Sequence, residues 1–262
     1  MTAAATMDAL TLVIASQRSG STLLCRDIES LGGMGAPKEH FLDILPGRKT
    51  AETQATTADV LASIAKGIKP DAPTVGAVKL MVNYAPKIDA ILQGTQETGA
   101  PKALNNILDW ATGRFARINL VVLVRKDPLD QAISRAVAGL TDIWHRNAAA
   151  LPEGSDPYSD RKLPPKAVNM AILDNLPGVL RQNEILRDFA RQNADRCLLV
   201  EYETLAADVA GTSARLVDHA RKAGFAPARN MAERNLRKLI DAERAETIRS
   251  DFRRFMKKRI GI

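Results

Sequence analysis

Apolar residues gather in four short runs: LTLVIAS (10–16), VGAVKLM (75–81), NLVVLVR (119–125) and RCLLVEY (196–202). None alternates strictly between apolar and polar. Runs of this length, rich in leucine or β-branched residues, read as strands covered on both faces. The stretches between them carry helical periodicity. After the first run, Leu24, Ile28 and Leu31 form one stripe, and Gly32-Gly33 end it. In DPLDQAISRAVAGL, Asp127 suits the cap and Pro128 the first helical position. Leu129, Ile133, Ala136, Val137 and Leu140 make its core face. Strands alternating with helices predict an α/β fold, a central parallel sheet with helices on both faces.

Residues 147–167, NAAALPEGSDPYSDRKLPPKA, combine prolines, a glycine and charges, and read as a long surface loop. From Glu184 onward the pattern is helical apart from the fourth run. At the end, IRSDFRRFMKKRI places Ile248, Phe252, Phe255, Met256 and Ile260 on one stripe. Arg249, Arg253, Arg254, Lys257 and Lys258 fall elsewhere, the pattern of a docked helix with a solvated basic face. There is no internal repeat. The 262 residues are read as one domain with a loop and helical insertion around 140–180 and a helical C-terminal part.

Composition is that of a globular chain, 45% hydrophobic and 26% charged. A formal charge of +7 points to an anionic partner. With only 4% aromatic residues, no basic stretch is interleaved with stacking rings, which counts against single-strand nucleic acid. Cys25 and Cys197 stand far apart in predicted elements and read as buried free thiols, not as a disulfide or metal knuckle. The start MTAAATMDAL lacks a basic leader, and LTLVIA is too short for a signal or a membrane span. The expectation is a cytoplasmic protein.

The chemistry begins in ASQRSGSTLLCRDIESLG (15–32), a loop between a strand and a helix. Such a helix N-terminus offers free N–H groups and the positive end of the dipole. Ser19, Ser21 and Thr22 add hydroxyls, Gly20 lets the backbone approach closely, and Arg18 adds a forked cation. Against the triphosphatase pattern, Ala15 replaces the first glycine and Ser21 the lysine, so a magnesium-dependent β/γ-phosphate clamp is not expected. From spacing alone, an anion cradle and a serine-rich helix cap are equally good readings.

The pieces IASQRSGSTLL, GAPKEHF, GAVKLM and LVRKDPLDQAIS occur in that order over about half the chain, with VEYETLAAD a weaker echo. In these the chain resembles the sulfotransferases that use 3′-phosphoadenylyl sulfate (PAPS). Within them it resembles the bacterial carbohydrate group typified by trehalose 2-sulfotransferase. The resemblance implies a P-loop-like sulfotransferase fold, PAPS as donor and adenosine 3′,5′-bisphosphate as product, no metal, and a carbohydrate or glycolipid acceptor. Relatives of the trehalose type can be dimers, and the resemblance hints at a homodimer. The 5′ phosphosulfate end would contact Arg18, Ser19, Gly20, Ser21 and Thr22, and the 3′-phosphate Arg125 and Ser134. In the wider superfamily that arginine and serine stand eight apart. Here Arg125 and Ser134 are nine apart and Lys126 has the spacing of eight, so either cation is a candidate.

Sulfuryl transfer to an alcohol needs a base at the hydroxyl and cations on the oxygens that gain charge. Adjacent Glu39 and His40 both qualify as the base. A helix from Gly20 to Leu31 runs about 18 Å from the loop, and the extended residues to Glu39 return about 23 Å. Both candidates can therefore come back to the loop. The resembling motif has glutamate as the base, which favours Glu39. Lys79 is the one charge inside its apolar run and needs a partner if buried; the resemblance makes it a catalytic cation. The acceptor would meet the 140–167 region, where Trp144–Arg146 offers an aromatic face or simply core packing. A magnesium-dependent nucleotide kinase and a non-enzymatic module that binds nucleic acid through its basic surface are the alternatives, and the C-terminal helix of 248–260 is a lesser candidate to close over the nucleotide or approach an anionic or lipid-bearing acceptor, peripheral to a membrane.

Overall fold

The computed structural model describes residues 7–45, 55–143, 163–234 and 242–261. Trp144–Arg146 and the loop up to residue 162 lie outside them. The elements run β1 (Ala9–Ala15), α1 (Ser21–Leu31), a 3₁₀ turn (His40–Ile44), α2 (Thr57–Ala65), β2 (Val75–Met81), α3 (Ala85–Gln93) and α4 (Ala100–Arg114). They continue with β3 (Arg117–Val124), α5 (Pro128–Thr141), α6 (Pro165–Gln192), β4 (Cys197–Glu201), α7 (Tyr202–Ala207), α8 (Val209–Lys222) and α9 (Ala242–Ile260). The four expected strands are present within two residues of their predicted ends. Pro165 opens α6, so the expected loop is three residues too long: proline suits a first helical turn, where its missing N–H costs nothing.

The chain divides into two compact units, one of residues 1–124 and 184–234, the other of 125–183 and 235–262. The first holds a parallel sheet of order β2-β1-β3-β4. Every residue of β1 and β2 is buried. On one face, Leu10, Leu12, Ile14, Val78, Leu80, Leu120 and Val122 pack with Val60 and Ile64 of α2, Ile88 of α3, Leu104 and Leu108 of α4 and Phe189 of α6. On the other, Val13, Ala15, Val121 and Leu123 meet Leu24 and Ile28 of α1, Leu205 of α7 and Leu216 and Val217 of α8. Two apolar faces explain why the runs do not alternate: neighbouring residues point to opposite sides and both sides are dry.

α1 is fastened at its far end by the segment after α8. The Arg229 N–H donates to the Leu31 carbonyl (2.9 Å), the Glu233 N–H donates to the Ser30 hydroxyl (3.1 Å), and Arg234 forks onto buried Asp27. Burial pushes the Asp27 carboxyl up, and the Arg234 guanidinium pulls it back only in part.

In the second unit Ala132, Ile133 and Ala136 of α5 pack with Val168, Ile172 and Val179 of α6 and Phe252 of α9. The expected face of α5 is present except at Leu140, which is 40% exposed; Thr141, the last residue of the helix, is buried in its place. The apolar stripe of α9 is docked, with Ile248, Phe255 and Met256 against the same core. Arg249 departs from the expected solvated face: it is only 16% exposed and ion-paired. No helix among the described residues is long and apolar enough to cross a membrane.

Candidate active site

The register of the sheet builds the site. Val13 of β1 pairs with Lys79 of β2, so both side chains point to the α1 face of the sheet. Lys79 lies two residues before the end of its strand, which brings its stem level with the loop leaving β1. There its Nζ, in a side chain only 5% exposed, donates to the Ser21 Oγ at 3.5 Å and contacts the Glu39 carboxylate at 2.9 Å.

Glu39 reaches Lys79 because the chain returns along the free edge of β2. The Ala36 N–H donates to the Gly67 carbonyl (2.7 Å) and the Lys79 N–H to the Lys38 carbonyl (2.9 Å). The 3₁₀ turn that follows is held by Phe41 and Ile44 in the core. Three residues predicted from separate motifs, Ser21, Glu39 and Lys79, thus meet. His40 is half-buried, its Nε2 buried without a hydrogen-bond partner among the described residues. Burial, helped by the charges of Lys38 and Lys66, holds its imidazole below the usual range.

The loop itself is tightly formed. Arg18 (φ 60) and Gly20 (φ 90) both take the left-handed conformation, which costs an L-residue such as Arg18 about 1 kcal/mol or more. Buried Ser19 donates its hydroxyl to the Ser16 carbonyl (2.7 Å), so it shapes the turn. The Leu23 and Leu24 N–H groups donate to the Gly20 carbonyl, so the N–H groups of Ser21 and Thr22 come before the first intrahelical bond. Tyr202, the first residue of α7, lies against Gly20 so closely that a Cβ there would be 2.2 Å from its Cδ2. The Gln17 Nε2 donates to the Tyr84 hydroxyl (3.3 Å). Spacing alone gives no reason to bring Tyr84 and Tyr202 here; the nearest signals are Gly20 itself and the VEYETLAAD echo.

Cys25, one turn along α1 from Ser21, faces the same side. Burial pushes its thiol up to about 12, as it does that of half-buried Cys197. Neither is a nucleophile at neutral pH.

Within the second unit, Arg125 is 14% exposed and lies 3.6 Å from Asp130. Lys126 is exposed and Ser134 half-buried on α5. Asp127 caps α5, its Oδ1 accepting from the Asp130 N–H (2.9 Å). Burial pulls the Asp127 carboxyl up, but that N–H and Arg249 outweigh it and leave it below the usual range.

No curated protein matches the chain. A family model described as Stf0 sulphotransferase matches residues 11–254, which take in the loop, Glu39, Lys79, Arg125 and Ser134. The chain therefore belongs to the Stf0 sulphotransferase family.

Proposed function

We propose that the protein transfers the sulfuryl group of PAPS to a hydroxyl of a carbohydrate or glycolipid, with Glu39 as general base. Family membership implies sulfuryl transfer between a nucleotide donor and an acceptor. The observation that carries the finer reading is the buried ammonium of Lys79, set between the Glu39 carboxylate (2.9 Å) and Ser21 at the head of α1 (3.5 Å). A base and a cation at a helix N-terminus are what an anionic donor and a neutral hydroxyl require.

The residues present fit such a donor. N–H groups at the start of α1, the Ser21 and Thr22 hydroxyls and Arg18 would hold the phosphosulfate end, with Ser19 and Gly20 fixing the loop. Lys79 would stabilise charge gathering on the oxygens of the transferred group. Arg125 and Ser134 are assigned to the 3′-phosphate, with Lys126 the rival to Arg125. The donor supplies an activated sulfuryl group; the chain's part is to bind it, orient it and take one proton from the acceptor. Glu39 is preferred to His40 as base because it is the member of the pair that touches Lys79.

Glu39→Ala is expected to retain affinity for adenosine 3′,5′-bisphosphate, titrated calorimetrically without divalent metal. Its turnover is expected to fall by about 10² to 10⁴. Full activity in that variant removes Glu39 from the mechanism. A wild-type chain that fails to bind the bisphosphate at millimolar concentration removes the donor assignment.

A further inference from the structure

The anion-binding assignment of Arg125 meets an electrostatic obstacle. Arg125 and Lys126 are followed within four residues by two carboxylates, Asp127 and Asp130. A phosphate approaching them would meet two positive and two negative side chains. The Asp130 Oδ2 stands 3.6 Å from Arg125, so this carboxylate competes for the guanidinium on which the phosphate depends.

Arg249 of α9 changes that balance. Its Nη2 contacts the Asp127 Oδ2 (2.5 Å) and the Asp130 Oδ1. Among the described residues, the exposed Glu246 also stands 3.7 Å from its Nε. The Arg249 side chain is 16% exposed, and its Nη2 is engaged by both Asp127 and Asp130. The apolar stripe of α9 already docks the helix through Phe252, Ile248 and Phe255. A half-buried cation is not needed for that docking, and withdrawing a cation from water is costly unless it has a task or good partners.

We propose that Arg249 is a positioning residue for the 3′-phosphate: by engaging Asp127 and Asp130 it keeps the Asp130 carboxylate from neutralising Arg125. This rests on the assignment of the 3′-phosphate to Arg125 made above. Arg249 acts through Asp130 and need not touch the nucleotide.

The test compares two ligands on the full chain, adenosine 3′,5′-bisphosphate and adenosine 5′-monophosphate. The ratio of their dissociation constants reads the 3′-phosphate alone, which general loosening of α9 would not single out. Wild type is expected to prefer the bisphosphate. Arg249→Gln is expected to shrink that preference by about tenfold, the loss of one charge-assisted contact, and to leave the monophosphate affinity nearly unchanged. Adding Asp130→Asn to Arg249→Gln is expected to restore most of it, because the competing charge is gone. Asp130→Asn alone, which keeps the shape of the side chain and serves if Arg249→Gln does not fold, is expected to raise the preference.

A preference unchanged in Arg249→Gln, an equal loss for both ligands, or a preference that falls in Asp130→Asn overturns the role of Arg249 and leaves the assignment of Arg125 standing. A wild-type chain with no preference, or an Arg125→Gln variant that retains it, overturns the 3′-phosphate assignment itself and the role of Arg249 with it.

Discussion

At the scale of single residues, the site depends on two that have almost no freedom. Gly20 combines a φ of 90° with the Tyr202 ring against its Cα, so any side chain meets both backbone strain and a clash. Gly20→Ala is expected to cost about 1–3 kcal/mol of stability in urea titration and to weaken anion binding, because the loop N–H groups are re-aimed. Lys79 is the second. Removing one partner of a buried ion pair leaves the other uncompensated, at a cost of about 3–5 kcal/mol when both are fully buried. Glu39 keeps 20% exposure, so water relieves part of that. Lys79→Met, which retains the apolar stem, is expected to fold with a lowered melting temperature and to lose turnover; wild-type turnover would detach Lys79 from the chemistry. Lys79 was legible as an anomaly, one charge in an apolar run. Its two partners were not, since nothing local says which loop will return to which strand.

At the scale of elements, local signals and the folded structure agree wherever the signal is itself local. Asp127 caps α5 with Pro128 at its first position, as their order implies. Leu24, Ile28 and Leu31 bury one face of α1. The capping box of α2, in which the Thr56 hydroxyl accepts from the Asp59 N–H (3.4 Å) and the Asp59 carboxylate accepts from the Thr56 N–H (2.9 Å), is of the same kind. Thr56→Ala is expected to lower unfolding free energy by about 1 kcal/mol with an unchanged urea m-value. A larger loss would show that the cap also supports the 3₁₀ turn beside Glu39, since Val60 and Ile64 share a core with Phe41 and Ile44. Arg249 shows where periodicity stops informing. On the helical wheel it groups with Arg253 and Lys257, yet α5 presents two carboxylates to it and α9 has nothing of its own to signal that.

At the scale of the whole molecule, two histidines give the fold a pH dependence. Burial holds His40 and His219 below their ordinary 6.5, and the His219 Nε2 lies 3.0 Å from the Leu120 carbonyl. Where the folded chain keeps these rings neutral, the unfolded chain protonates them. As pH falls through 6.5 the unfolded state binds more protons, so stability present above that value is lost toward the folded-state pKa, by at most about 1.4 kcal/mol per pH unit for each ring. Urea midpoints at pH 7.5 and 5.5 are expected to show the loss, and His219→Gln to reduce it; equal midpoints would refute the assignment. The sequence by itself determined the α/β alternation, the four strands, the cap of α5 and the place of the loop between β1 and α1, because each follows from spacing within one segment. Tertiary structure alone decided that Lys79 bridges Ser21 and Glu39, that Tyr202 closes on Gly20 and that Arg249 engages Asp127 and Asp130. Those contacts join residues 40 to 182 positions apart, and they follow from sheet register and packing, which no single stretch of the chain encodes.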